Sequence, residues 1–301
     1  MHPPAIRADL LLAQRLEAAL AYEGAAYVAA WQRLDPAAGA TAESLAGGIL
    51  LFTGVDSPVT QAVGLGMTGP VSGEEISRLL EFFESRQALP RVSLCPLAHP
   101  SLLLELGREG FYLEEFENVL VCPLHANAAE PSADRHGGDD RRSEVEVRRV
   151  GTDEHAVWTR VMIEALLGDP VFALAVHGGR AQEGGGAEPV AADRVLAAAP
   201  PHIHDTECYL AWVGGIPAGG GAVSIHHGIG TLFSDATLPA FRGRGVQSAL
   251  IGARVGRAVE AGCELAVSGT APGGTSQRNF ERRGFHVVYT DVMLAAGPSS
   301  C

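Results

Sequence analysis

The residues best able to do chemistry stand in one stretch, Thr231-Leu-Phe-Ser-Asp-Ala-Thr-Leu-Pro-Ala-Phe-Arg-Gly-Arg-Gly-Val-Gln-Ser-Ala-Leu250. It reads as a strand over 231–238, stopped by Pro239, which cannot donate to a ladder. The basic loop Arg242-Gly-Arg-Gly245 follows, and the spacing predicts a helix over 246–261. Two glycines let successive N–H groups converge on one point with no Cβ in the way. The helix start adds unpaired donors and partial positive charge, and Arg242 and Arg244 add full charges. Such a loop is a socket for a phosphate or a diphosphate.

Two other patterns compete for attention. His202, His204, Asp205 and Glu207 include a His-x-His pair on one strand face, but a metal needs a further ligand and supporting hydrogen bonds, so the segment is read as a substrate loop. Gly64-Leu-Gly-Met-Thr-Gly69 is a literal Gly-x-Gly-x-x-Gly. A dinucleotide fingerprint needs the helix to open inside the motif and an acid at the end of the next strand. Pro70 delays the helix, and the acids at that distance fall within it.

Composition narrows the chemistry. At 301 residues, 47% hydrophobic, the chain is sized for two domains. Its net charge of −13 argues against a nucleic-acid partner. All 22 basic residues are arginine, which excludes a Walker phosphate loop and a Schiff-base lysine for pyridoxal phosphate. Five cysteines without Cys-x-x-Cys spacing read as free thiols of a reducing cytoplasm. No apolar run is long enough for a membrane helix, and the first residues lack a signal-peptide pattern. Charge is unevenly spread: residues 1–125 carry 15 acids and 7 arginines, whereas residues 242–283 carry 7 arginines and 3 acids. A basic island in an acidic protein points to a small anionic ligand. For Arg254, Arg257, Arg282 and Arg283 a solvated helix face suffices.

The elements that must position this loop follow from periodicity. Residues 7–34 have helical composition with a break expected at Gly24. Residues 42–48 read as a turn-rich approach to a strand at 49–53, and a second strand spans 59–65. Ser72-Gly-Glu-Glu75 is a capping box opening a helix that presents Ile76, Leu79, Leu80 and Phe83 on one face. A strand at 92–95, a helix at 99–108 and a strand or hairpin at 111–124 complete the first half. Residues 126–143 read as a linker and 178–186 as a mobile glycine-rich loop. The second half holds a strand at 145–150, a helix near 154–166, strands at 208–213 and 221–225 joined at Gly214-Gly-Ile-Pro217, the opening stretch, and a strand at 263–268. The halves repeat at an offset of 174: Leu106-Gly-Arg-Glu-Gly-Phe111 parallels Phe280-Glu-Arg-Arg-Gly-Phe285, and the capping box falls on the helix start at Val246. In the first half the basic loop is replaced by Thr68-Gly-Pro-Val-Ser-Gly73 beside Glu74 and Glu75, whose charges already occupy the potential a phosphate would want.

The loop also carries a resemblance. Arg-Gly-Arg-Gly-Val-Gln, after a strand and Pro-x-Phe, resembles the acyl-CoA pyrophosphate loop of the GNAT superfamily of N-acetyltransferases, Gln/Arg-x-x-Gly-x-Gly/Ala. Arg242 and Gly245 fit; Gln247 stands where the family more often has Gly or Ala. Phe280-Glu-Arg-Arg-Gly-Phe285 looks like the family's Tyr-Glu-x-x-Gly-Phe, and the likeness spans residues 145–294. It implies an α/β fold of two tandem acyl-CoA N-acyltransferase-like (GNAT) domains, each a mixed, mostly antiparallel sheet flanked by helices. Residues 1–125 form a degenerate domain, 126–143 the linker and 144–301 the domain that binds acetyl-CoA.

The resemblance further implies the main chain of Ala236, Thr237 and Leu238 pairing with the pantetheine arm, and Arg242, Gly243, Arg244, Gly245, Val246, Gln247 and Ser248 around the diphosphate. The primary amine of a small molecule attacks the thioester directly, with Glu207 or Asp235 as the base. The family's acid is often a tyrosine; that position is Phe280, leaving Tyr289, Ser276 or a water open as acid. An acyl-CoA sensor without turnover and a protein or peptide acetyltransferase are the alternatives. The expected protein is cytoplasmic, a monomer or homodimer, without nucleic-acid or membrane partners.

Overall fold

The computed structural model describes residues 6–124, 145–167 and 191–297; the predicted linker and the glycine-rich loop at 178–186 lie outside them. Asp9 caps the first helix, its carboxylate accepting from the Leu12 N–H at 2.8 Å. Helix α1 (Leu10–Leu34) then runs without the break expected at Gly24. A Cβ on Gly24 would fall 2.3 Å from Leu51 Cδ1, so this glycine serves close approach and not a turn. Strands β1 (Thr41–Leu45) and β2 (Gly48–Phe52) form a hairpin, β1 lying within the stretch read as a turn. Its middle residues are exposed, so it lacks the apolar alternation that marks a strand. Strand β3 is only Gln61–Val63.

Helix α2 (Gly73–Glu84) opens on the predicted capping box. Ser72 N–H donates to the Glu75 carboxylate at 2.8 Å, and Glu75 N–H returns a bond to Ser72 Oγ at 3.3 Å. It buries Ile76, Leu79, Phe82 and Phe83; Leu80 is only partly covered. Strand β4 (Arg91–Leu94), helix α3 (Pro100–Arg108) and strand β5 (Phe111–Pro123) follow. The second half runs β6 (Val145–Arg149), α4 (His155–Leu167), α5 (Ala191–Ala198), β7 (Thr206–Val213), β8 (Ile216–His226), β9 (Ile229–Thr237), α6 (Val246–Glu260), β10 (Leu265–Thr270), α7 (Thr275–Glu281) and β11 (His286–Ala296).

The chain forms two compact units. The first comprises residues up to Leu120 together with Gly269–Gly274 and the chain from His286; the second runs from Val121 to Ser268 and adds Thr275–Phe285. Strand order in the first unit is β1-β2-β3-β4-β11-β5, and in the second, beginning at the end of β5, β5-β10-β9-β8-β7-β6. β1–β2, β2–β3, β4–β11, β6–β7, β7–β8 and β8–β9 pair antiparallel, whereas β3–β4 and β9–β10 pair parallel. The order of elements therefore repeats in three dimensions, with one exchange: β11, last in sequence, pairs with β4 in the first unit (Val292↔Leu94).

The first unit's core gathers Leu50, Phe52, Ile76, Leu79, Phe83 and Leu102. The second gathers Trp158, Val161, Met162, Leu210, Ala222 and Leu238, and the Trp158 indole N–H donates to the Ala197 carbonyl at 2.9 Å. Burying each such side chain contributes about 1.5–3 kcal/mol. Cys95, Cys122, Cys208 and Cys263 are free thiols, and no described helix is long and apolar enough to cross a membrane. Replacing Ser72 with Ala should cost about 1 kcal/mol by loss of the cap. Urea unfolding followed by circular dichroism checks it, and an unchanged midpoint would show the box contributes nothing.

Candidate functional site

Within the second unit the parallel ladder between β9 and β10 covers only Ile229–Thr231 against Leu265–Val267, whereas β9 stays paired with β8 as far as Thr237. Where the ladder stops, the Ser268 hydroxyl donates to the Leu232 carbonyl at 3.0 Å. On its other side β9 bulges: the register jumps from Gly220↔Ala236 to Ala222↔Phe233, so Ser234 and Asp235 together oppose Gly221. Ser234 takes the left-handed conformation this requires, with φ 53°.

A single buried cation fastens the bulge. Arg254 on α6 is 0% exposed. Its Nε donates to the Leu250 carbonyl at 3.1 Å, and Nη1 donates to the Ala222 carbonyl at 3.1 Å and the Phe233 carbonyl at 3.2 Å. Both terminal nitrogens reach the Asp235 carboxylate. The guanidinium needs room on β8, and a Cβ on Gly221 would lie 2.6 Å from Arg254 Cζ. At Gly220 a Cβ would meet Met162 and Trp158, each 2.9 Å away, which accounts for the glycine run in this strand. Arg254 is thus no solvated residue. It stands on the buried stripe Val246, Leu250, Ile251, Arg254 and Ala258, and that helical spacing was the signal in the sequence that marked it.

Beyond β9, a short turn at Pro239–Phe241 delivers the chain to the basic loop. Arg242, Gly243, Arg244 and Gly245 are all exposed. Both glycines are left-handed, φ 75° and 81°, and a Cβ on either would meet nothing within 4 Å. Gly245 is the N-cap of α6, whose first turn has no side-chain cap and no acid. Its leading N–H groups therefore look out of an open, electropositive end. Arg244 lies over the Phe241 ring at 5.6 Å. The corresponding start of α2 in the first unit is closed by its own Ser72–Glu75 box and carries Glu74 and Glu75 in its first turn.

The remaining candidates are distributed as follows. Val246 is buried beneath the loop. Gln247 tethers α6 to α7, its Nε2 donating to Ser276 Oγ at 2.8 Å and its Oε1 accepting from Asn279 at 2.6 Å. Ser248 Oγ accepts from Arg283 Nε at 2.9 Å. Leu238 N–H is taken by the Ala218 carbonyl at 2.9 Å, which corrects its place as an outward donor. By strand alternation Ala236 faces β8 as well, and Thr237 faces away from it.

The two candidate bases are both held by guanidinium groups. Asp235 is paired with Arg254. Glu207 on β7 accepts from Arg257 at 2.8 Å and from the Tyr209 hydroxyl at 2.9 Å, with Arg149 3.5 Å away. Burial pushes the Glu207 carboxyl up, but these hydrogen bonds and the charges of Arg257 and Arg149 outweigh it and hold the group below its usual range. A carboxylate so stabilised is a weak proton acceptor. Phe280 is 1% exposed and meets Phe285 edge-to-face at 5.0 Å, so a core ring fills the position where the motif usually has a phenol. Ser276 is engaged by Gln247, and Tyr289, in the first unit, donates to Glu17. His204 pairs with Asp205 at 2.8 Å and His202 packs against His155; among the described residues these histidines join no cluster of metal-ligand geometry.

Comparison with known proteins gives the following. Residues 182–285 match the model of the Acetyltransferase (GNAT) family. This part of the chain is similar to a GNAT domain. Among solved structures, a GCN5-related N-acetyltransferase from Kribbella flavida superposes with a TM-score of 0.57 at 17% identity, covering 91% of this chain and 96% of that one. A tandem GNAT protein from the clavulanic acid biosynthesis pathway superposes with a TM-score of 0.55 at 14% identity, covering 91% and 89%. No curated protein matches the sequence. The tandem GNAT fold thus extends over both halves, and the family is one of acetyltransferases.

Two outcomes follow for the second unit. Arg254→Met leaves a carboxylate without its counter-charge and should cost about 3–5 kcal/mol; adding Asp235→Asn should recover much of that loss. Chemical denaturation of the single and double variants measures the coupling. Glu207 has a depressed folded-state pKa, so its stabilisation is present above its ordinary value of 4.5 and is lost as pH falls through the lower folded value. Urea midpoints measured across that range should fall less steeply for Glu207→Gln than for wild type.

Proposed function

We propose that the chain is an acetyl-CoA-dependent N-acetyltransferase that acts on a primary amine of a small molecule, with the second unit as its working domain. The observation that carries this reading is the open loop Arg242–Gly245, exposed, left-handed at both glycines and leading into an uncapped helix start. The residues fit the cosubstrate: the space beside Gly243 and Gly245 is open, and the main-chain donors and two guanidinium groups suit a diphosphate. Bound there, acetyl-CoA would supply an acetyl group activated as a thioester.

On this reading Arg242, Gly243, Arg244, Gly245 and the leading amides of Val246, Gln247 and Ser248 hold the diphosphate. The Thr237 main chain, on the edge of β9 turned away from β8, is the donor for the pantetheine arm. Main-chain donors on that edge stabilise the oxyanion, a large contribution in acyl transfer. The bulge at Asp235 and its bond to Arg254 fix that edge, so we assign Asp235 to positioning. Glu207, held in its ionised form by Arg257, is likewise assigned to shaping the site, and the amine loses its proton to water. The first unit, its equivalent helix start closed by Ser72 and Glu75, serves as scaffold.

Arg244→Glu and Gly245→Asp should each weaken CoA binding by about tenfold or more, equivalent to about 1.4 kcal/mol, with the circular dichroism spectrum unchanged. Calorimetry with CoA measures this, and undiminished affinity in both removes the socket. Glu207→Gln should lower kcat by less than about tenfold, against about 10²–10⁴ for loss of a general base, in a free-thiol release assay over a panel of amines. Binding without thiol release across the panel would favour an acyl-CoA sensor, a reading that the buried hydrocarbon ring of Phe280 gives substance.

A further inference from the structure

Four side chains that acyl transfer leaves unused converge inside the first unit. Glu17 comes from α1, Cys95 from the residue after β4, and Tyr289 and Asp291 from β11. Glu17, Asp291 and Cys95 are 1%, 2% and 3% exposed. One carboxylate oxygen of Glu17, Sγ of Cys95 and one carboxylate oxygen of Asp291 all lie within 4.8 Å of one another. The Tyr289 hydroxyl donates to Glu17 Oε1 at 2.9 Å. Oε2 of Glu17 and Oδ1 of Asp291 are buried and accept no hydrogen bond of normal geometry.

Acceptors are rarely buried unmet, because each forfeits the hydrogen bonds it had in water. Two unmet carboxylate oxygens beside a thiol are therefore informative: a cation would satisfy all three at once. We propose that Glu17, Cys95 and Asp291 bind one divalent transition-metal ion, zinc by the donor set.

The chemistry supports that choice. Calcium and magnesium take oxygen ligands only, whereas a thiolate with two carboxylates is an S,O set that zinc accepts. Ligands bonded to one tetrahedral zinc at about 2.0–2.3 Å stand roughly 3.5 Å apart, so the observed cluster needs only small side-chain movements to close. The Tyr289 hydroxyl plays the part of the outer hydrogen bond that orients a ligating carboxylate.

At the offset of 174, Asp291 corresponds to Glu117 and Cys95 to Gly269. A Cβ on Gly269 would lie 2.3 Å from the Glu117 carboxylate, so this equivalent pair keeps an acid and has no space for a thiol.

The full chain, stripped on a chelating resin, is titrated with zinc in competition with a chromophoric chelator, and with cobalt as a spectroscopic probe. One zinc per chain is expected, with a thiolate-to-cobalt charge-transfer band, and zinc but not magnesium should raise Tm. Cys95→Ser should abolish the band, Asp291→Asn should abolish stoichiometric binding, and Tyr289→Phe should weaken it about 10–100-fold. Should Cys95→Ser fail to fold, the cobalt band and the Tm shift of the wild type decide alone. Absence of zinc binding by wild type overturns the proposal and favours a proton shared between the two carboxyls. Equal binding by Asp291→Asn places the ion elsewhere and overturns it too, as does an equal response to magnesium. The proposal is independent of the acyl-CoA reading, and none of these measurements uses acetyl-CoA.

Discussion

The buried guanidinium of Arg254 is the interaction on which the second unit's geometry depends. It joins α6 to two strands at once, through the carbonyls of Ala222 and Phe233 and the carboxylate of Asp235. A charge with no exposure to solvent is tolerated only when its donors are matched, and here main-chain carbonyls and a carboxylate receive it. The consequence is geometric: β9 is pinned in a bulge just where its ladder with β10 has stopped, and α6 is set at the end of that strand. The glycine at 221 is the space the guanidinium occupies, so the glycine run in β8, the bulge in β9 and the arginine in α6 are parts of one arrangement.

The two repeats show how little sequence separates an open helix start from a closed one. Both place a helix after a strand whose neighbour is parallel. In α2 a serine and a glutamate satisfy the first amides and negative charge fills the first turn. In α6 the same position offers glycine, no side-chain cap and flanking arginines. Local side chains decide whether the dipole and the leading donors are spent inside the protein or presented outward. The exchange of closing strands lets β11 bring Tyr289 and Asp291 to Glu17 and Cys95 in the first unit, residues far apart in the chain.

Much of the fold was legible because helix and strand periods leave their mark on local composition. The capping box, the basic loop, the strand before it and the offset of 174 all appear in the structure where the sequence puts them. β1 was not legible, because its exposed middle residues carry no apolar alternation. Gly24 misled because a glycine kept for close contact with Leu51 looks, in one dimension, like a helix breaker. The acidic residues at 207 and 235 looked alike as candidate bases, and nothing local reveals that each meets an arginine from α6.

By itself the sequence determined the class of fold, the repeat, the absence of lysine chemistry and the basic glycine loop before α6, since each rests on residue type and short-range spacing. Only the tertiary structure decided which arginines face solvent and which lie inside, that Leu238 spends its amide on Ala218, that β11 crosses to the first unit, and that Glu17, Cys95 and Asp291 meet. The reason is physical. Capping, turn geometry and amphipathic period are set over a few residues, whereas burial, desolvation and charge pairing are set by which distant elements pack together.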